Sequence, residues 1–314
     1  MSKMIATRDA YKEALVTLGQ ENPNVVVLDA DLAKSTMTIG FAQRFPERFF
    51  SIGIAEANMT GIAAGLAASG KIPFASTFAI FATGRAYEQI RNSIGYPHLN
   101  VKIAATHAGI TVGEDGATHQ SIEDMGLMRG IPGMTVICPA DGVETAAAVR
   151  AIADYVGPVY LRMGRSAVPV IMPKDYEMSW GKAVYLREGR DVSLVATGMM
   201  SAVALEAAEV LAAEGIGAEV LHVPFIKPLD QEAVVATAKK TGAVVTAEEH
   251  SIINGLGSAV AECLSEQAPT PICRIGIQDT FGESGKPAQL LEKYSLTAKD
   301  IVAAAKQVML QKRT

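Results

Sequence analysis

The chain has 314 residues, with 28 Lys and Arg against 33 Asp and Glu and a formal net charge of −5. No basic stripe is present, which argues against a nucleic-acid partner, while 49% hydrophobic against 19% charged residues supports a large buried core. No stretch reaches the ~18 uninterrupted apolar residues of a membrane span.

Met1 to Asp9 lead into an amphipathic helix without a signal-peptide run. Cys138, Cys263 and Cys273 lie in apolar surroundings and show neither metal spacing nor a disulfide framework. That fits a reducing, cytoplasmic compartment. Lys306, Lys312 and Arg313 form a basic tail, read as a solvated helix end.

A helix is expected over Thr7–Gly19, with apolar positions Ala10, Leu15, Val16 and Leu18. Asn24–Asp29 is an apolar run ending in an acid, the pattern of a strand buried on both faces of a parallel sheet. Phe49 to Ile52 end another strand, and Ala57–Ala68 follows as a helix rich in Gly and Ala with almost no charge. A helix apolar on most sides is expected to be buried. Alternation continues with strand 72–77, helix 85–93, strand 101–106, helix 121–129, strand 134–139, helix 142–155 and strand 159–162. This is an α/β pattern with a parallel sheet.

Ser166 to Trp180, with Pro169 and Pro173 and no period, reads as a connector. Alternation restarts with strand 192–197, helix 201–214, strand 218–223, helix 231–241, strand 243–248, helix 255–267, strand 272–277 and helix 298–311. Two parallel-sheet α/β domains are expected, over 1–165 and 189–314, joined by a linker at 166–188.

Ligands of α/β sheets bind at the carboxyl ends of strands. In the first domain those ends carry Asp29-Ala30-Asp31 with Lys34-Ser35, then Glu56, then Phe78 to Arg85, then Thr106 to Gln120, then Arg162 and Arg165. Glu56 stands at a strand-to-helix junction with no Lys or Arg within seven residues. The helix N-terminus favours its anion and desolvation favours its acid, a balance suited to proton transfer; a capping carboxylate is the alternative from position alone. Phe78 and Phe81 suit either core packing or stacking on a flat heterocycle. The loop from His107 to Gln120 holds Gly109, Gly113 and Gly116, acids Glu114 and Asp115, and histidines His107 and His119. It has no recognised metal-ligand spacing and points to a small phosphorylated or hydroxylated ligand, the alternative being a plain loop of turn glycines and surface histidines. In the second domain, Glu248-Glu249-His250 ends a strand and could face a ligand, with a solvated loop the preferred reading, and Phe281 to Gly285 reads as a turn without catalysis.

The segments Gly53-Ile54-Ala55-Glu56-Ala57-Asn58-Met59, Ser76-Thr77-Phe78-Ala79-Ile80-Phe81 and Thr106-His107, with Gly113-Glu114-Asp115-Gly116-Ala117-Thr118-His119-Gln120, resemble the transketolase family of thiamine-diphosphate enzymes. The likeness covers the whole chain and corresponds to the family's pyrimidine-binding and C-terminal domains. The family's Gly-Asp-Gly and Asn motif for magnesium and diphosphate has no counterpart in the sequence. The resemblance therefore implies the second subunit of a split transketolase, paired with an N-terminal diphosphate-binding subunit that holds Mg2+. It implies homodimers of this chain within an A2B2 assembly.

By resemblance, Glu56 matches the glutamate that bonds the aminopyrimidine ring nitrogen and so promotes loss of the thiazolium proton. Phe81 matches the aromatic over the pyrimidine, with Phe78 beside it, and Asp31 a residue near the cofactor. His107, Asp115 and His119 match groups that meet the sugar donor, with His107 and His119 assigned to catalysis. Ser35 and Arg165 match phosphate contacts, and Arg85 a phosphate-contacting arginine of deoxyxylulose-phosphate synthases. Ala108 replaces a usual Asp and Gly84 a frequent aromatic, which brings deoxyxylulose-phosphate synthase chemistry in as a rival. A non-catalytic subunit completing a partner's fold and the β subunit of a 2-oxo acid dehydrogenase are further alternatives. Two sugar-facing histidines have no obvious role on a 2-oxo acid.

Overall fold

Three valines ahead of Leu28 and Asp29 leave no polar residue to turn outward, so this segment needs cover on both faces. In the computed structural model, which describes residues 3–312, it is the strand Val25–Asp29, buried at every position. Among the described residues it lies in a seven-stranded sheet. The order is Phe225–Lys227, Thr135–Ile137, Val159–Arg162, Lys102–Thr106, Ile72–Phe78, Val25–Asp29, Phe49–Ser51. All neighbours are parallel except the first pair.

Successive strand residues point to opposite faces. Val25, Phe74, Ala104 and Leu161 meet Tyr11, Leu15 and Ile152 of the helices Thr7–Glu21 and Gly142–Asp154 on one side. Ala75, Ile103 and Tyr160 meet Met59, Ala63, Ile94 and Met125 on the other. That second cluster continues without a break into Val195, Leu221 and Val260 of the C-terminal half.

The second sheet has the order Ile272–Ile277, Val244–Ser251, Val192–Ala196, Ala218–His222, Val184–Arg187, parallel except at the last pair. Several features differ from the sequence expectation. The connector contains Ala167–Pro169, paired with Met4–Ala6, and Val184–Arg187, an edge of the second sheet. Phe225–Lys227 returns from the second half to close an edge of the first sheet. These strands are too short to show a period, and pairing partners alone define them. The helix Pro287–Lys293 is also additional to the expected set; Pro287 stands at its first position, where a missing N–H costs nothing.

The helix Glu56–Ala68 is not enclosed as expected. It buries only Glu56, Met59, Thr60, Ala63 and Ala64. Gly61, Ile62 and Gly65 are exposed, and a Cβ added at either glycine would meet nothing within 4 Å. Small side chains, rather than cover on all sides, account for its uncharged composition. Of the basic tail, Lys306 pairs with Glu214 at 2.5 Å, and Arg313 lies outside the described residues.

Candidate active site

Parallel strands end together, so residues that follow them share one edge. Phe78 closes the strand Ile72–Phe78, and Phe81 opens the wide-turned helical segment Phe81–Arg85. His107 follows Lys102–Thr106 directly, with φ +56, a left-handed conformation that turns the chain sharply into the glycine loop. The rings meet: Phe78 stacks on His107 at 3.8 Å and 19°, and on Phe81 at 5.8 Å and 11°. His119, at the far end of the loop, stands edge-on to Phe81 at 5.4 Å and 76°.

His107 is buried, and its two nitrogens are distinguished by their neighbours. Arg8 Nη1 lies 3.4 Å from Nε2, and a guanidinium only donates, so Nε2 accepts. Nδ1 then carries the proton toward Thr106 Oγ1 at 2.9 Å. Burial, reinforced by Arg8, Arg165 and His119, pulls the His107 pKa down to about 3. The ring is neutral at physiological pH.

A cationic corner surrounds it. Arg8, from the first turn of Thr7–Glu21, donates through Nη1 to the Ser35 carbonyl at 2.9 Å, while its Nε is buried without a partner. Arg165 donates to the Val112 carbonyl at 2.5 Å and stands 3.7 Å from Glu114 and 3.9 Å from Asp115. Sequence reasoning does not single out Arg8. Its only signal is a cation in the first turn of a helix, where the dipole disfavours one.

Glu56 is 1% exposed at the start of its helix, yet it caps nothing: among the described residues its carboxylate bonds only Arg85 Nη1, at 2.8 Å. The Arg85 guanidinium also lies 4.7 Å over the Phe81 ring, and its side chain is 50% exposed. Arg85, expected at a phosphate, instead faces the glutamate. Asp31 is exposed with φ +64 and makes no side-chain hydrogen bond among the described residues.

The second half of the chain reaches the same edge, against the expectation of a solvated loop and an idle turn. Glu248, Glu249 and His250 are all buried. Glu248 accepts the N–H groups of Leu256 and Gly257 at 2.7 and 2.8 Å, and Glu249 Oε1 accepts Thr111 N–H at 2.7 Å. The turn at Phe281–Gly285 receives Gln120 Nε2 on the Glu283 carbonyl at 2.9 Å. Sequence reasoning fails here because a charged triplet is usually solvated, whereas both carboxylates find donors within the fold, Glu248 eight and nine residues on and Glu249 138 residues away. Among the described residues no cluster of three His, Cys, Asp or Glu has metal-binding geometry.

Residues 3–170 match the transketolase pyrimidine-binding domain and residues 181–301 the transketolase C-terminal domain. The chain is 50% identical over 305 residues to the 6-deoxy-6-sulfo-D-fructose transketolase subunit of Clostridium sp. (strain MSTE9), covering 97% of this chain and 95% of that one. It is 38% identical to an apulose-4-phosphate transketolase subunit of Phocaeicola vulgatus, covering 97% of each. A solved structure described as a split gene transketolase, inactive beta4 tetramer, superposes with a TM-score of 0.93 at 60% identity, covering 98% of this chain and all of that one. With the two domains in series, the chain belongs to the transketolase family of thiamine-diphosphate-dependent enzymes.

Proposed function

We propose that the chain is the pyrimidine-binding subunit of a split transketolase, which moves a two-carbon ketol unit from a ketose phosphate to an aldose. The observation that carries this reading is one sheet edge holding a buried glutamate, a set of stacked rings and a corner of two guanidinium groups around a neutral histidine.

The residues suit thiamine diphosphate. Arg85 already presents to Glu56 and Phe81 what an aminopyrimidine would, a planar nitrogen-bearing group that bonds the carboxylate and covers the ring. An ion pair whose cation is half in water is weakly held, so Arg85 can yield that place. Gly84 beside it leaves open space, and Thr77 Oγ1 is buried without a partner. Phe78, Phe81, Glu56 and Asp31 are assigned to the cofactor.

When bound, thiamine diphosphate supplies a carbon nucleophile for the donor's carbonyl. Glu56, buried at the start of its helix, is assigned to hydrogen-bond the pyrimidine ring nitrogen in the place Arg85 takes here. His107, with His119 and Asp115 at the rim, is assigned to the sugar donor. Arg8, Arg165 and Ser35 bind the phosphate, for which a dianion between two guanidiniums is well matched. Arg85 pairs with Glu56 rather than with this corner, which favours the transketolase reading over the synthase one.

Magnesium and the diphosphate are assigned to a partner subunit, in keeping with the relatives' descriptions as subunits and with the missing Gly-Asp-Gly motif. Two copies of this chain are assigned to an A2B2 complex through the exposed face of Glu56–Ala68, in the cytoplasm. No helix among the described residues is long and apolar enough to cross a membrane.

The test is deuterium exchange at the thiazolium carbon in the assembled complex. Glu56→Gln keeps the shape and removes the proton, so exchange should slow sharply. An unchanged rate would overturn the catalytic reading.

A further inference from the structure

The loop that carries His107, Asp115 and His119 is held partly by its own Gln120 and partly from outside. Among the described residues its own backbone bonds are short turns, such as Gly113 N–H to the Ile110 carbonyl at 3.0 Å and His119 N–H to the Gly116 carbonyl at 3.0 Å. Further groups that fix its middle come from outside. Thr111 N–H goes to Glu249 at 2.7 Å, the Thr111 carbonyl takes Ser166 Oγ at 3.2 Å, and the Val112 carbonyl takes Arg165.

Glu249 is the buried member of this set that comes from the C-terminal domain, on Val244–Ser251. Contact is close enough that a Cβ at Gly109 would collide with Glu249 Oε1. Gly109 has φ +80 and ψ −176, a region open essentially to glycine alone, so the loop bends around the carboxylate. Glu249 is itself anchored: its carbonyl accepts Arg162 Nη2 at 2.9 Å, and Arg162 is held by Asp124 through bonds of 2.7 and 3.2 Å. Arg162 lies three residues before Arg165, so one rigid piece joins the loop to the cationic corner. A second clamp is Gln120, whose Nε2 lies within 3.2 Å of the Ile110, Gly113 and Glu283 carbonyls, with Gly116 pressed against Ser284.

We infer that Glu249 is a positioning residue: the C-terminal domain serves the active site by holding the 107–120 loop in register through the Glu249–Thr111 bond. This rests on the function proposed above for the loop's histidines. A buried carboxylate is expensive, and burial pushes the Glu249 acid above its ordinary range. What the loop needs from it is an acceptor at Oε1 rather than a charge.

Amide hydrogen exchange on the full chain, with ketol-transfer kinetics on the assembled complex, tests the inference. In Glu249→Ala the amides of 109–113 should exchange at least roughly tenfold faster, while those of 102–106 and 192–196 stay protected. Displacement of catalytic groups by about 1 Å costs on the order of 10²-fold, so kcat/KM should fall by roughly 30- to 100-fold. Glu249→Gln keeps an acceptor and should return both readouts to within about threefold of wild type. Ser193→Ala removes a buried hydroxyl bonded to Thr237 and Thr241 within the C-terminal domain. It should lower the melting temperature without touching the loop. If Glu249→Ala does not fold, Glu249→Leu fills the space without an acceptor and must give the same loop-specific change. Unchanged exchange at 109–113, or equal acceleration in Ser193→Ala, would overturn the inference. A wild-type complex without ketol transfer would overturn the proposed function, leaving the exchange comparison to decide the role of Glu249.

Discussion

The two sheets share a parallel architecture but differ at their strand ends: the first matches Asp29 and Arg162 within the chain yet leaves other polar groups there short of partners. In the second sheet the buried groups there are consumed within the chain. Glu248 takes two N–H groups at the N-terminus of Leu256–Gln267, the place where a sheet of this kind would hold an anion. His222 is held between Ser201 Oγ at 2.6 Å and Glu144 at 2.7 Å, and His250 Nδ1 donates to the Ser251 carbonyl at 2.7 Å. In the first sheet demand is left over: Glu56 has one half-exposed partner, Arg8 Nε has none, and His107 is kept neutral between cations. Chemistry belongs where the fold leaves polar groups unmatched by their neighbours.

The same substitution in the two sheets gives the largest contrast. Glu56→Gln should lower turnover by roughly 10²–10⁴-fold, the usual span for losing an acid–base group, with little change in melting temperature. Glu248→Gln, measured alongside, should leave kcat and KM within about threefold. Comparable kinetic losses in both variants would erase the distinction between the two edges.

Arg8→Ala and Arg165→Ala sharpen it next. A charge-assisted bond contributes about 1.5–3 kcal/mol, so KM for a phosphorylated donor should rise by roughly ten- to a hundredfold. An unphosphorylated ketose should be nearly unaffected, and equal losses on both donors would make these arginines structural.

On the second sheet the expected effect is on stability alone. Glu248→Ala leaves two helix N–H groups without their acceptor and should cost about 1–3 kcal/mol in denaturant unfolding. No loss would mean that water satisfies those groups.

The last expected effect is in pH dependence. His107 binds its proton near pH 3 when folded and near 6.5 when unfolded. Between those values the unfolded chain holds more protons, so stability rises with pH across the window and is lost as pH falls through it. His107→Gln should flatten this slope, seen in urea midpoints at pH 4 to 7.

Much of this site is legible in the residues alone. Glu56, Phe78 and His107 each stand at or just beyond the end of a strand-like run, and such runs are local signals. Arg8 and Glu249 are not legible. Arg8 sits in an ordinary amphipathic helix, and Glu249 in a charged triplet that composition assigns to solvent. The exposed face of Glu56–Ala68 escapes a sequence reading because small uncharged residues suit both a core and a surface that pairs with another chain.

The alternation of strands and helices, and with it the set of residues that share a strand-end edge, follows from local sequence, because strand burial and glycine breaks are encoded within a few residues. The partners of those residues come only with packing. Glu56 meets Arg85 across 29 residues, His107 meets Arg8 across 99, and Thr111 meets Glu249 across 138. Hydrogen bonds and ion pairs are selected by distance and direction in space, and those quantities exist only once both sheets have packed.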